Sequence, residues 1–316
     1  MTASTPIRLG TRASLLARWQ ADWTAARLRE RGHEVEIVEI ATRGDLETRP
    51  LGEIGGQGLF TKAIQTALLE NAIDLAVHSL KDLPTDRIDG LRLGAIPERE
   101  PVGDLLIGRE PTDLESLAPG AIIGTGSLRR RAQLLHARPD LDVRDIRGNL
   151  DTRLRKLDDG DYDAIVLAAA GIGRLGWDHV AAWPIPIELM FPAVGQGALG
   201  WEIRSDDARM AEVLAPLDHA PSRFAVTAER ALLRELRAGC LAPVGAYGRV
   251  EGTTLHLDAV VLDPQGIERI DHRLCWADIT LDDATAEEAG ESVARELKQE
   301  GATRLIDPAR RPSGGD

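Results

Sequence analysis

The sequence predicts an α/β protein built from two similar lobes and a third, smaller unit. Residues 7–15 indicate a short strand, a turn and the start of a helix, and residues 122–128 repeat this order. Segments 67–77 and 156–166 form a second similar pair, each indicating a helix, a turn and a strand. In an α/β lobe the helices cover the sheet, so each repeat can form one lobe. Two such lobes facing across a cleft are the simplest arrangement.

Local signals place the elements of each lobe. Ser14 precedes a helix expected to run to about Arg31, and Ser127 precedes one expected to run to about Ala137. A serine before a helix can accept a hydrogen bond from the first turn, so both serines are predicted N-caps. Prolines and glycines put the lobe boundaries near residues 97–101 and 192–197.

The third unit follows Pro216. Its pattern predicts a long helix, then strands near residues 244–250, 254–262 and 267–275, and then a helix over 282–299. The tail 308–316 is rich in proline, glycine and arginine, and we expect it to be disordered.

Composition favours a cytoplasmic enzyme. The chain has 316 residues, 43% of them hydrophobic, which is enough for two or three domains with buried cores. The net charge of −13 and only 3% aromatic residues argue against nucleic-acid binding. Residues 1–10 show no signal-peptide pattern, and the longest apolar run, 164–172, is too short for a membrane span. Two cysteines do not make a disulfide framework, and the histidines show no metal-ligand spacing.

Basic residues at helix starts indicate an anion-binding site. Arg12 lies just before the first helix, and Arg129, Arg130 and Arg131 occupy the first turn of another. Positive charge there opposes the helix dipole. These residues could simply form a solvated basic face with ordinary serine caps. The unfavourable position of the positive charge instead predicts a bound anion that compensates the charge. Without such a ligand, Arg129, Arg130 and Arg153 are expected to leave stability unchanged or slightly lower it.

Further arginines lie at predicted strand ends. Arg43, Arg147 and Arg174 each follow a strand, and Arg153 lies one turn into the next helix. Ligands of open α/β sheets bind beyond the carboxyl ends of the strands, and arginine pairs bidentately with carboxylates. Asp82 also follows a buried-type strand, where it is a candidate acid/base group as well as a possible surface ion-pair partner.

Cys240 lies on a loop beyond a strongly helical run, 228–236. Gly239 is the expected terminator of that helix, because glycine adopts positive φ without strain. A thiol placed on such a loop can carry a group covalently. Cys275 falls in a strand-like segment and is predicted to be a buried structural thiol.

Several short motifs occur in a fixed order along the chain. They are Gly-Thr-Arg-Ala-Ser at 10–14, Thr-Arg-Gly-Asp at 42–45, His-Ser-Leu-Lys-Asp-Leu-Pro at 78–84, Gly-Thr-Gly-Ser-Leu-Arg-Arg at 124–130, Arg-Gly-Asn-Leu-Asp-Thr-Arg-Leu at 147–154, Pro-Ala-Val-Gly-Gln-Gly-Ala-Leu at 192–199, Ala-Glu-Arg at 228–230 and Gly-Cys at 239–240. With these motifs the sequence resembles the hydroxymethylbilane synthase family, also called porphobilinogen deaminase, over nearly its whole length.

The resemblance implies a transferase of tetrapyrrole (haem) biosynthesis. It would join four porphobilinogen molecules head to tail with loss of ammonia and release 1-hydroxymethylbilane. A dipyrromethane cofactor would be held by a thioether to Cys240. Asp82 would assist loss of ammonia, stabilise the azafulvene cation and help to remove the proton at the joined carbon. Phe60 would pack on a pyrrole ring. The remaining cofactor- and substrate-binding residues would be Arg12, Ser14, Lys81, Thr125, Ser127, Arg129, Arg130, Arg147, Gly148, Arg153, Arg174 and Gln196.

The resemblance also implies a fold of three α/β domains. The first two would be like the lobes of type II periplasmic binding proteins, and the third would be a small α+β domain carrying the cofactor cysteine. The expected ranges are 1–98 with 194–215, then 99–193, then 216–307, and last the tail 308–316. The expected partner is porphobilinogen alone, with no nucleic acid or membrane, and the protein is expected to be a monomer.

Some positions depart from the family pattern. Lysines frequent in the lid segment, 45–58, are replaced by Glu53 and Gln57, Ala63 stands where an acidic residue is common, and Gly103 replaces an arginine. The changes at Glu53, Gln57 and Gly103 reduce positive charge, so they bear on substrate affinity more than on reaction type.

Two other functions would each explain part of this pattern. A noncatalytic two-lobed anion-binding protein would explain the repeat, but neither the third unit nor Cys240. A cysteine hydrolase would need a base, and no histidine lies near Cys240 in sequence, although proximity in space stays open.

Overall fold

The computed structural model describes residues 5–41, 61–239 and 242–310. These residues form two compact units, the first comprising 5–41, 61–99 and 198–223, and the second comprising 100–197, 224–239 and 242–310. The lid segment, Phe60 and Cys240 lie outside the described residues.

Strands and helices alternate through most of the chain. The strands are β1 (Ile7–Thr11), β2 (Val35–Glu39), β3 (Leu75–Ser79), β4 (Leu91–Ala95), β5 (Asp104–Gly108), β6 (Ile122–Gly124), β7 (Asp142–Arg144), β8 (Ala164–Ala168), β9 (Ala182–Pro184), β10 (Leu199–Arg204), β11 (Val244–Glu251), β12 (Thr254–Leu262) and β13 (Arg269–Trp276). The α-helices are α1 (Leu15–Glu30), α2 (Lys62–Leu69), α3 (Leu128–Ala137), α4 (Leu150–Asp158), α5 (Ala169–Arg174), α6 (Ala208–Leu214), α7 (Ala220–Glu235), α8 (Asp283–Gln299) and α9 (Ala302–Arg310).

Two of the sheets in the described residues have the same topology. The first has the order β2-β1-β3-β10-β4, and the second has the order β7-β6-β8-β5-β9. In each, the first three strands are parallel and the fourth runs antiparallel to both of its neighbours. The internal repeat predicted from the sequence is therefore confirmed, and so is the mixed α/β fold class.

Helices cover both faces of the first sheet. Leu28 of α1 packs with Leu9, Leu75 and Trp201 on one face. On the other face, α2 contributes Ile64 and Leu68 to a smaller cluster with Ile73, Ala76 and Leu91. Because strand residues alternate between faces, β3 contributes odd-numbered residues to the first cluster and even-numbered residues to the second.

The third sheet is a small antiparallel one, β11-β12-β13. One face packs against α7, α8 and α9, with Leu255 and Leu257 of β12 fully buried. On the other face, Val260 and Leu262 contact Phe191 and the α3 residue Ala132. The third sheet therefore packs directly on the helix that begins after Ser127.

Two sequence predictions about the third unit were wrong. Cys275 is exposed, because it lies on the edge strand β13 with its side chain on the face opposite Leu274 and Trp276, which pack towards the core. The tail was expected to begin at residue 308, but α9 continues to Arg310. Residues 311–316 lie outside the described part of the chain.

No helix in the described ranges has both the length and the apolar character of a membrane span.

Close packing between α7 and α8 depends on Gly290. A Cβ built at this position would lie 2.1 Å from the carbonyl oxygen of Ala228 and 2.8 Å from the backbone nitrogen of Leu232. Both atoms belong to the backbone of α7, so they cannot move aside as a flexible side chain would. Only glycine allows this helix crossing.

We therefore expect Gly290→Ala to lower the free energy of unfolding by about 2 kcal/mol or more, the range of a core overpacked by rigid atoms. The matched control is Gly173→Ala in α5, where a Cβ would meet nothing within 4 Å. That change should be neutral, or stabilising by up to about 1 kcal/mol through helix propensity. Chemical denaturation measures both, and equal values for the two variants would contradict the packing argument.

Candidate active site

Asp82 is an exposed residue on an anchored turn. Strand β3 ends at Ser79, and a single 3₁₀ turn, Leu80–Asp82, follows it. Leu80 is 1% exposed, and its N–H donates to the carbonyl of Ala198 at 3.0 Å. Gly200 leaves room for it, since a Cβ there would lie 2.7 Å from Leu80 Cδ1. The backbone of the turn is fixed while the carboxylate of Asp82 faces solvent.

The start of α1 is linked to this turn. Gln20 on α1 donates from Nε2 to Ser79 Oγ at 2.7 Å. Ser14 accepts a hydrogen bond from the first turn of α1, so its predicted role as an N-cap is confirmed. The structure thus brings Arg12 and Ser14 into the same part of the first unit as Asp82.

In the second unit, Arg129 and Arg130 surround a buried carboxylate. Arg129 Nη2 lies 2.8 Å from one oxygen of Asp104, and Arg130 Nη2 lies 2.8 Å from the other. Gln196 Nε2 donates to Asp104 Oδ1 at 2.8 Å. The Asp104 side chain is 0% exposed and those of the arginines are 4% and 7%. These four residues are called the Asp104 cluster below.

The sequence analysis missed Asp104, and this changes one expectation. The first turn of α3 carries positive charge, as predicted, but the anion that compensates it belongs to the protein. Because of this pairing we now expect Arg129 and Arg130 to stabilise the fold, where the sequence alone predicts that they leave stability unchanged or slightly lower it. The available signal was a single carboxylate opening the apolar strand Asp104–Gly108. A buried acid of this kind needs a cation.

The cluster keeps Asp104 ionised. Burial by itself would raise the pKa of Asp104, but the charges of Arg129 and Arg130 and their hydrogen bonds outweigh it and hold the pKa well below 3.8. A carboxyl group with a depressed folded-state pKa stabilises the fold above its unfolded pKa. That stabilisation is fully present at neutral pH and is lost as the pH falls below 3.8.

The same arginines also carry donors without acceptors. Arg129 Nη1 donates to the carbonyl of Phe191, and Arg130 Nη1 donates to that of Val166. The Nε atoms of both are buried and find no hydrogen-bond acceptor among the described residues. An unpaired buried donor costs about 1–3 kcal/mol, which an anionic ligand would offset.

Thr125 and Ser127 form the turn before α3. Thr125 is 4% exposed, and its Oγ1 accepts from the N–H of Ser127 at 3.2 Å. Ser127 Oγ accepts from the N–H of Arg130, which confirms the predicted cap. Both hydroxyls therefore stabilise the turn from which Arg129 and Arg130 extend.

Arg147, Gly148 and Arg153 form a second group, more exposed than the first. Arg147 Nε donates to Asp145 at 3.2 Å, and Arg153 Nε donates to the carbonyl of Gly148 at 2.8 Å. Gly148 has φ +108°, and a Cβ there would lie 2.6 Å from Thr152 Cγ2, so this loop requires glycine. Both arginines are only partly buried, which keeps them near the surface for a ligand.

Gln196 and Arg174 fix the segment that precedes β10. Gln196 is 0% exposed and donates to the carbonyl of Val102 as well as to Asp104. Arg174 donates to the carbonyl of Gly197 at 2.7 Å. Burial lowers the pKa of Arg174 to about 10, with the charge of Glu100 opposing the shift, so the side chain stays protonated at neutral pH. Arg174 is therefore held against the backbone of this segment, and Gln196 connects the segment to Val102 and Asp104.

Of the predicted site residues, Cys240 and Phe60 lie outside the described residues. The neighbours of Cys240 are fixed, because Ala238 and Ala242 are buried in the same cluster as Val194. The helix before them ends earlier than expected, at Glu235. Arg237, with φ +50°, makes the left-handed turn that the sequence predicts at Gly239, and the N–H of Ala238 donates to the carbonyl of Leu233.

Replacing Arg130 by alanine should destabilise the protein by about 3–5 kcal/mol, because it leaves the buried charge of Asp104 half compensated. Arg131→Ala is the matched control, since Arg131 lies in the same helical turn but is exposed. Its loss should be about 1 kcal/mol or less. The measurement is the free energy of unfolding in urea at pH 7. Equal losses in the two variants would show that the Asp104 cluster does not stabilise the fold.

Two solved structures of solute-binding proteins align weakly with the chain. An ancestral cationic amino acid solute binding protein aligns with a TM-score of 0.41 and 16% identity, covering 67% of this chain and 87% of that one. A periplasmic binding protein with high arginine specificity from Salmonella typhimurium aligns with a TM-score of 0.40 and 14% identity, covering 68% and 92%.

Sequence comparison gives a much stronger match. Porphobilinogen deaminase of Desulforudis audaxviator (strain MP104C) is 54% identical over 266 residues, which cover 83% of this chain and 86% of that protein. The family model described as porphobilinogen deaminase, dipyromethane cofactor binding domain, matches residues 7–212. The model described as porphobilinogen deaminase, C-terminal domain, matches residues 223–299. The two models together span nearly the whole chain, which belongs to the porphobilinogen deaminase family.

Proposed function

We propose that the protein is a hydroxymethylbilane synthase. It joins four porphobilinogen molecules head to tail, losing one ammonia for each, and releases 1-hydroxymethylbilane after addition of water. The observation that carries this proposal is the match of both family models and of a 54% identical porphobilinogen deaminase to a chain that retains Asp82 and Cys240. The enzyme is a transferase and its cofactor is dipyrromethane.

The residues present fit a dipyrromethane with acidic side chains. The buried Nε donors of Arg129 and Arg130 meet no acceptor in the described part of the chain, and a carboxylate is the acceptor that arginine binds best. Cys240 would hold the cofactor through a thioether, in a loop whose flanking residues, Ala238 and Ala242, are packed in the core. When bound, the dipyrromethane supplies the pyrrole carbon to which the first porphobilinogen is joined.

Asp82 is proposed to perform the acid–base steps. Its carboxylate is exposed on an anchored turn, so it can approach the aminomethyl group of porphobilinogen. A carboxylate beside this group stabilises the positive charge that develops as ammonia leaves. It can then accept the proton that the pyrrole carbon releases when the new carbon–carbon bond has formed. Lys81, its neighbour, would pair with a substrate carboxylate.

The arginines are proposed to hold the acetate and propionate groups of the growing chain. Arg147 and Arg153 support this role best, because their side chains are only partly buried. Every condensation adds two carboxylates, which explains why so many cations are needed in an acidic protein. The other proposed binding residues are Arg12, Ser14, Phe60, Thr125, Ser127, Gly148, Arg174 and Gln196.

A noncatalytic two-lobed anion-binding protein is not favoured, because membership of an enzyme family accounts for the third unit and for Cys240 as well as for the two lobes. The cytoplasmic location and the monomeric state expected from the sequence stay predictions.

Native protein should be heavier than its sequence by one dipyrromethane unit, attached at Cys240. Cys240→Ser should lack this increment and be inactive. Cys275→Ser is the matched control: Cys275 is the other thiol of the chain and is exposed, but it should not carry the cofactor, so the increment should remain. Intact-mass spectrometry decides the question. An active wild-type protein of unmodified mass would refute the attachment.

Asp82→Asn should lower kcat by about 100-fold or more, the usual contribution of a general acid–base group. Its Tm should change little, because Asp82 is exposed. Asp86→Asn, an exposed carboxylate four residues along, is the control and should keep normal activity. Porphobilinogen consumption and thermal unfolding are measured for both variants. Wild-type turnover in Asp82→Asn would exclude the proposed role.

A further inference from the structure

Glu202 is a buried carboxylate that the proposed mechanism does not use. It lies on β10 in the first sheet and is 5% exposed. Its register partner on β3 is Ala76, and its side chain lies on the face of the sheet that α2 covers. An ionisable group in such a place needs an explanation, because burial of a carboxylate costs several kcal/mol unless polar groups surround it.

Two side chains contact Glu202, one on each neighbouring element. His78 Nε2 on β3 lies 3.2 Å from Glu202 Oε2. Gln65 on α2 donates from Nε2 to Glu202 Oε1 at 3.1 Å. His78 is 5% exposed and Gln65 is 6% exposed. His78 Nε2 and Glu202 Oε2 form no aligned hydrogen bond within the described residues, so their 3.2 Å contact is a close polar approach and not a hydrogen bond.

Both residues that contact Glu202 lie close in sequence to residues of the proposed active site. His78 is followed directly by Ser79 and by the turn Leu80–Asp82. Gln65 lies in the first turn of α2, which begins at Lys62, two residues after Phe60. Glu202 therefore connects the strand that carries Asp82 with the helix that follows the residue proposed to pack on a pyrrole ring.

Stability alone does not account for this arrangement. The cluster of Ile64, Leu68, Ile73 and Ala76 occupies the same face of the sheet, so an apolar side chain at position 202 would have apolar neighbours. Replacing buried ionic groups by apolar ones of similar volume is often neutral or stabilising. A buried carboxylate between two polar partners instead fixes the rotamers of both and the spacing of their elements.

We infer that Glu202 is a positioning residue for the reaction: through His78 and Gln65 it fixes the turn that carries Asp82 relative to helix α2. This inference rests on the proposed function. Glu202 does not touch substrate; it acts through the backbone of the turn. Its loss should therefore slow the chemical steps more than it weakens substrate binding.

The test compares Glu202→Leu with Glu202→Gln in the cofactor-loaded enzyme. Leucine fills a similar volume but contacts neither His78 nor Gln65 through a polar atom. It should lower kcat about tenfold or more, with KM changed less than about threefold, as expected when an interaction needed only for the chemical step is lost. Glutamine keeps polar atoms for both partners and should restore at least half of kcat.

Asp74→Asn is the matched control. Asp74 is also a buried carboxylate of the first unit, 6% exposed and paired with Arg8 at 2.8 Å, but it precedes β3 at the end of the strand away from Asp82. This change should lower Tm and leave kcat per folded molecule unchanged.

The outcomes separate the inference from the proposed function. Wild-type enzyme that fails to consume porphobilinogen would reject the proposed function itself. Active wild type with normal kcat in Glu202→Leu would reject the positioning role alone. An equal loss of kcat per folded molecule in Asp74→Asn would also reject the positioning role, and so would a failure of Glu202→Gln to recover kcat. Either result would mean that the loss of kcat in Glu202→Leu comes from general destabilisation. Mass spectra after brief exposure to porphobilinogen should show more early adducts in Glu202→Leu than in wild type.

Discussion

A carboxylate at the start of a buried strand stays ionised only if cations surround it, and Asp104 imposes this requirement on the second unit. Arg129 and Arg130 supply these cations from the first turn of α3, and Gln196, in the segment before β10, donates a hydrogen bond to the same carboxylate. Strand β5, helix α3 and the 192–197 segment are thereby held together by one charge. Because Val194 packs in one cluster with Ala238 and Ala242, the same constraint extends to these two residues on either side of the proposed attachment site.

The repeated topology explains where the other candidate residues lie. In both sheets the parallel strands end at one edge, and ligands of open α/β sheets bind there. In the first sheet this edge carries Arg12 after β1 and Asp82 after β3. In the second it carries Thr125 after β6 and Arg147 after β7. The proposed acid–base group and the proposed carboxylate-binding groups therefore lie at equivalent places, beyond the carboxyl ends of the parallel strands in each sheet.

The charged residues of the two units fall into two classes, exposed residues that can bind a ligand and buried residues that contact other parts of the protein. Asp82, Arg147 and Arg153 are exposed or half-buried, which leaves their charged groups accessible to a ligand. Asp104 and Glu202 are buried and act on the protein, the first by pairing with cations and the second by linking two elements. Arg129 and Arg130 are buried with Asp104, and each also has a buried Nε donor that lacks an acceptor in the described residues.

The sequence by itself determined the repeated strand–turn–helix units, the serine caps at Ser14 and Ser127 and the motifs of the family, because these depend on local backbone preference and on residue order. It did not reveal the pairing of Asp104 with Arg129 and Arg130, the exposure of Cys275, or the contact of Glu202 with His78. Each of these joins residues far apart in the chain or depends on which face of a strand is covered. Only tertiary packing decides that, since it alone sets which groups lose contact with water.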